Sequence, residues 1–259
     1  MTDLFAGLES DKTIENETDY VASSVLESGL YDFTIDMAFM TVADSGAKCL
    51  NLRLKHGNDQ DFRQNLYVTS GTKKGCKNFF TDKNGKNRYL PGFNIANALC
   101  LLTVKTEIGK QTATEKVINL WNKELKKETP TPVQMITALT GQKFIGGVVK
   151  QTVDKTTKDA ATAKYVPTGE TRDENDMDKI FRASDGLTVA EIRAKVTESV
   201  YKGTWAKTNT DVTRNRAKGA AAPGSPAAAA GANTGAVAGG APGAAPVVEA
   251  VVEADLFGE

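Results

Sequence analysis

Twelve bases lie between Gly46 and Thr112, accompanied by only four acids, and Phe62, Tyr67, Phe79, Phe80, Tyr89 and Phe93 are interleaved among them. Cations neutralise phosphates and release their counterions. Flat aromatic faces stack on unpaired bases, at about 1–3 kcal/mol per base and with little sequence preference. Duplex DNA, whose bases are already stacked, needs only the cations, so the mixture points to single-stranded nucleic acid. The candidate binding residues are Arg53, Lys55, Arg63 and Tyr67, with Trp121 further along the chain. The densest stretch runs from Lys73 to Tyr89, where Lys73, Lys74, Lys77, Lys83, Lys86 and Arg88 surround Phe79, Phe80 and Tyr89. If Phe79 and Phe80 share a strand, one of them must turn away from the core. Phe33, Phe39, Phe62 and Phe93 are expected to be core.

Enzymatic chemistry finds little support. Gly71–Lys77 (GTKKGCK) has the glycines and lysines of a phosphate loop but not the G-x-x-x-x-G-K-[ST] spacing. No G-x-S-x-G elbow is present. A nucleophile–histidine pair would rest on His56, the one histidine, which is expected to be exposed in a Gly-Asn turn. The acidic run Thr171–Lys179 (TRDENDMDK) reads as a solvated loop or a helix start, although its acids leave a magnesium-dependent nuclease as an alternative. Cys49, Cys76 and Cys100 are odd in number and form no C-x-x-C pair, so free thiols are expected rather than a disulfide framework or a structural zinc site. No cofactor and no metal are expected.

The formal charge is zero, with 32 bases and 32 acids, but the charges are segregated. Residues 1–20 carry six acids and one base, and residues 219–259 carry four acids and no base. The body, 21–218, holds 31 bases and 22 acids, a net +9. A basic body between acidic ends implies an anionic partner for the body. Residues 219–248 include 13 Ala, 7 Gly and 4 Pro and offer no large side chain to bury, so a disordered linker is expected. The acidic tip, 249–259, brings back Leu256 and Phe257 beside Glu253 and Asp255, an amphipathic peptide suited to a basic-rimmed apolar pocket on a partner. Its acids could also occupy the basic face of the chain's own body when DNA is absent. No signal peptide and no apolar run of membrane-spanning length is found in the sequence, and the expected location is the cytoplasm.

The elements that must position these residues are mainly strands. Tyr31, Phe33, Ile35, Met37 and Phe39 alternate with their neighbours, as do Leu50, Leu52 and Leu54, and Phe62–Val68 reads as a third strand. Asn84-Gly85 signals a hairpin with positive φ at both turn positions. Asn94–Thr103 is helix-like, Val117–Trp121 suggests a strand, Pro132–Leu139 a short helix, and Phe144–Val153 a strand with a bulge at Gly146-Gly147. Thr188 with Glu191 forms a capping box for a helix to about Trp205. The expected fold is mainly β with peripheral helices. Five strands with a helix between the third and fourth is the order of an OB-fold-like barrel, and a β-sandwich or an open α+β sheet would give the same pattern.

Asn65–Gly71 (NLYVTSG), Asn84-Gly85-Lys86, Tyr89–Leu99 (YLPGFNIANAL), Lys150–Lys155 (KQTVDK) and Tyr165–Arg172 (YVPTGETR) together resemble the bacteriophage single-stranded DNA-binding proteins, over roughly residues 25–218. The resemblance implies an OB-like core and a non-catalytic role in coating DNA exposed in phage replication, recombination and repair. It also implies a C-terminal tail that contacts replication or recombination partners. The tail here is sparser in charge than that pattern, and Gly258-Glu259 follow its aromatic residue. Besides the nuclease, a phage structural or assembly protein is the remaining alternative.

Overall fold

The computed structural model describes residues 25–122, 125–159 and 165–218. The expected N-terminal acidic segment, the Ala/Gly/Pro linker and the tip with Glu253, Asp255, Leu256 and Phe257 lie outside the described residues.

The fold is mainly β, with helices at its periphery. Strands β1 (Gly29–Val42), β2 (Lys48–His56) and β3 (Gln60–Tyr67) form an antiparallel meander. A small hairpin follows, β4 (Phe79–Thr81) with β5 (Asn87–Tyr89), and then helix α1 (Pro91–Val104). A second hairpin, β6 (Thr114–Asn122) with β7 (Lys127–Met135), touches the first half of the sheet where Met135 and Gln134 pair Phe39 and Met40 of β1. Strand β8 (Lys143–Lys158) pairs β1 over Gly29–Thr34 and pairs β9 (Tyr165–Arg182) along its whole length. Two short helices, α2 (Val189–Arg193) and α3 (Tyr201–Asn209), precede β10 (Arg214–Asn215), which lies parallel on β8.

The pairing order β3-β2-β1-β8-β9 leaves β3 and β9 unpaired with each other among the described residues. Helix α1 packs on both of them, burying Ala96, Leu99, Cys100, Leu101 and Leu102. Its first turn suits Pro91, whose absent N–H would have no intrahelical partner there in any case. The main core joins Phe33 and Ile35 of β1, Leu50, Leu52 and Leu54 of β2, Phe62 and Leu66 of β3, and Leu99 of α1 to Phe144, Val148, Met177 and Ile180 of β8 and β9.

The alternation read along Tyr31–Phe39 does not hold to its end. Asp36 is an extra residue opposite the β2 step from Leu54 to Arg53, a β-bulge that shifts the phase of the strand. Phe33 and Ile35 therefore face the main core, as does Ala38, while Met37 and Phe39 face the other side. There Phe39 meets Val133 and Met135 of β7, with Ile118 and Leu120 of β6 beside them.

Other expectations need correction. Pro132–Leu139 is not a short helix. Pro132 to Met135 end β7, and only Thr137–Leu139 form a single 3-10 turn. The acidic run Thr171–Lys179 is strand, not loop or helix start: it pairs with β8, where Asp173 accepts from Thr152 at 2.7 Å and Glu174 from Gln151 at 3.0 Å. The Thr188–Glu191 capping box is present, but the helix it starts ends at Arg193, and α3 begins only at Tyr201. The Glu191 carboxylate explains the break, since it also accepts from the N–H groups of Val200 and Tyr201 at 2.9 and 2.8 Å. The irregularity beside Gly147 is present, with its extra residue, Asp178, on β9. Both glycines are needed for close approach. A Cβ on Gly146 would lie 2.8 Å from the Phe33 ring and from Met177 Sδ, and one on Gly147 would lie 2.8 Å from the Trp205 indole.

His56 is not an exposed turn residue. It closes β2, is buried, and meets Tyr31, Phe33 and Phe62 edge-on at 5.6–6.4 Å between ring centroids. The three cysteines are free, with Cys49 and Cys100 buried and Cys76 exposed. Burial pushes the Cys100 thiol up to about 12. No helix among the described residues is long and apolar enough to cross a membrane.

Candidate nucleic-acid interface

Because Leu50, Leu52 and Leu54 of β2 and Phe62, Gln64 and Leu66 of β3 point into the molecule, the alternate residues form an outward face. Register sets them in pairs: Lys55 opposite Asp61, Arg53 opposite Arg63, Asn51 opposite Asn65, and Tyr67 at the far end opposite Cys49. The face thus runs from cations through amides to an aromatic ring 54% exposed. Asp36, Arg53, Lys55, Asp61, Phe62 and Arg63 line a polar groove at its cationic end.

The β6–β7 hairpin walls this face on the β1 side. Its inner residues cover Phe39, and the Arg53 guanidinium donates to the Asn119 carbonyl of β6 at 3.3 Å. That carbonyl is free for a simple reason: opposite Pro130, Asn119 lies in a non-hydrogen-bonded pair of the β6–β7 ladder, so its carbonyl turns away from β7. Trp121 stands two residues further along β6, 63% exposed on the hairpin's outer surface, with Glu128 across from it.

At the other end the face meets the start of α1. Gly92 sits directly on the Tyr67 backbone, where a Cβ would come within 2.4 Å of the Tyr67 carbonyl oxygen. The next residue, Phe93, is half-buried and stacks under Tyr89, with 4.9 Å between centroids and 31° between planes. Tyr89 is 57% exposed, so its ring is backed by Phe93 and open to solvent. Phe79 lies opposite Tyr89 in the β4–β5 ladder, half-buried, with the Lys77 ammonium 5.4 Å from its ring centre. Phe80 pairs with Arg88 and therefore projects from the other side of the hairpin. As expected, the two adjacent phenylalanines diverge, and the structure does not bring Phe80 to the Tyr89 side.

The cations fall into two groups. Lys73, Lys74 and Lys77 are exposed and take part in no ion pair among the described residues. Their loop is held firmly, since Thr72 N–H donates to Ser45 at 2.8 Å, Ser70 N–H to Lys77 at 2.7 Å, and Lys77 N–H to the Ser70 hydroxyl at 3.0 Å. Lys83 and Lys86 are exposed around the β4–β5 turn, where Gly85 alone has a positive φ of 76°, against the expectation of two such residues. Asp82 N–H donates to the Lys86 carbonyl at 2.8 Å, so the loop they close has three residues, one more than a two-residue turn, which moves the left-handed position to its end at Gly85. The second group is engaged internally. Arg88 is bound to Asp82 at 2.6 Å, and that hydrogen bond holds the Asp82 carboxyl below the usual range. Lys55 is bound to Asp61 at 2.9 Å, which raises the ammonium's pKa and lowers the carboxyl's, with Arg63 and Arg53 adding to the latter.

Asn51 and Asn65 were not singled out as candidates, nor was the support that Phe93, assigned to the core, gives Tyr89. The outward positions of the asparagines are implicit in the period-two pattern of their strands. Of the Asn51 amide, the NH2 group is already committed to Thr41, Phe39 and Cys49, leaving an acceptor toward the face.

The acids of β9 are dispersed along the strand. Glu170 pairs with Lys155, and Asp178 accepts from the Trp205 indole and from Arg214, both at 2.7 Å. Asp176 has its pKa raised by burial and by neighbouring Asp178. Among the described residues no three His, Cys, Asp or Glu side chains are placed to hold one metal ion.

A scan against protein-family models finds no match for this chain, and neither does a search of the curated proteins.

Proposed function

We propose that the chain is a sequence-independent single-stranded DNA-binding protein, of the bacteriophage type that its motifs resemble, and that it coats DNA exposed in replication, recombination and repair. The observation that carries this reading is the outward β2–β3 face. Arg53 and Arg63, then Asn51 and Asn65, then Tyr67 follow one another along it, and the backed ring of Tyr89 lies beyond. Phosphates and unpaired bases call for cations and open rings on one face. OB folds are partly open Greek-key barrels that bind oligonucleotides on the face of their second and third strands. We read β1, β2, β3, β8 and β9 as the five strands of such a barrel, with α1 filling the interval between β3 and β9. The tip, 249–259, is assigned to partner proteins and to competition for the DNA face.

Titrating the protein into labelled oligo-dT and a matched duplex, at low and moderate salt, tests this reading by anisotropy. Tight, salt-sensitive binding with preference for the single strand is expected, and equal binding to the duplex overturns the reading. In the same assay Lys73→Glu with Lys74→Glu is expected to weaken oligo-dT binding about tenfold and to reduce the salt slope by roughly one. An unchanged slope removes this loop from the interface. Deleting residues 249–259 is expected to leave oligo-dT affinity equal or higher, and a large loss rules out competition by the tail.

A further inference from the structure

We propose that Arg53 and Arg63 form a seat for a single phosphodiester group, gripped by both guanidiniums together. The proposal rests on the nucleic-acid reading above and names where that ligand is anchored. The two arginines are direct partners in the β2–β3 register, which places their Cβ atoms about 4.5–5.5 Å apart, a separation at which like charges destabilise a sheet. Among the described residues no carboxylate forms an ion pair with either, although Asp61 lies near enough to feel both charges. Asp61 is held by Lys55, and Asp36, exposed on its bulge at the rim of the groove, is in no ion pair among the described residues. Arg53 is held toward the wall of the groove by its bond to Asn119, while Arg63 takes part in no ion pair among the described residues. A tetrahedral anion between the two planar forks would offset the repulsion and accept from both. The Lys73–Lys77 loop, by contrast, carries flexible ammonium groups that act as point charges.

The test is charge-neutral. Arg53→Lys, Arg63→Lys and the double variant are titrated with oligo-dT over a salt series, and their melting temperatures are checked against the parent. A shared seat predicts that each single change weakens binding about tenfold, that the double variant is little worse than either single, and that the salt slope is unchanged. Wild-type affinity in all three variants overturns the seat, as do losses that simply add, the mark of two independent contacts. If the double variant fails to fold, the same cycle is run with Arg53→Gln and Arg63→Gln, whose double variant supplies the test of additivity. A parent protein with no preference for oligo-dT is a different failure, since it removes the nucleic-acid reading and the seat with it.

Discussion

Replacing Tyr67 and Tyr89 together by alanine is expected to weaken oligo-dT binding by roughly 2–4 kcal/mol, about 30- to 1000-fold, and to leave its salt dependence unchanged. Both rings are more than half exposed. Their removal therefore uncovers little core, and the melting temperature is expected to stay near that of the parent. Loss of affinity at constant salt slope separates stacking from phosphate neutralisation, because only the latter releases counterions. Anisotropy titrations at several salt concentrations measure both quantities at once. Phe80→Ala serves as an internal comparison, since Phe80 projects from the opposite side of the β4–β5 hairpin and its removal is expected to cost much less. If the Phe80 variant loses as much as the tyrosine pair, the strand follows the other side of that hairpin.

The part of this face carried by β2 and β3 was legible in the sequence, because period-two alternation assigns inward and outward residues together. Leu50, Leu52 and Leu54 inward leave Arg53 outward. What alternation cannot show is which strands are neighbours, and so the opposition of Arg53 to Arg63 emerges only from the register. Nor can it locate an inserted residue. The bulge at Asp36 moves Phe39 from the main core to the ground beneath β6–β7, although nothing in the string of side chains marks the change of phase.

Two elements were misread because a local rule was overridden by position. Pro130 and Pro132 argue against a central strand, yet they sit where β7 pairs β6 alone. Prolines are tolerated there and discourage another strand from adding to the edge. The acids of β9 argue for a loop, but Lys150 and Thr152 on β8 hold Asp173, Gln151 holds Glu174 and Lys155 holds Glu170, while Asp178 is held by Trp205 and Arg214. His56 was misplaced for the converse reason. Its Gly-Asn neighbours do form a turn, and the histidine is the last residue of the strand before it, facing the rings of β1 and β3.

Gly92→Ala is expected to destabilise the protein by about 1–3 kcal/mol, against the usual sign for such a change. Placing alanine for glycine inside a helix ordinarily stabilises by about 0.5–1 kcal/mol, because the unfolded chain loses freedom. At Gly92 the new methyl would meet the backbone of Tyr67, 2.4 Å from its carbonyl oxygen and 3.0 Å from its carbonyl carbon and nitrogen. Backbone cannot rotate aside as a flexible side chain can, so the start of α1 must move away from β3. That movement carries Phe93, and with it the support under Tyr89, away from the end of the β2–β3 face. Oligo-dT affinity is therefore expected to fall about tenfold even at temperatures where the variant remains folded, toward the loss of one stacking ring. Gly203 provides the matched comparison, since it lies within α3 and a Cβ there meets no atom within 4 Å. Gly203→Ala is expected to raise the melting temperature and leave DNA binding unchanged. Thermal unfolding of the two variants side by side gives opposite signs if Gly92 is the point of contact between the helix and the binding face. A stabilised Gly92→Ala variant with full affinity would separate the two.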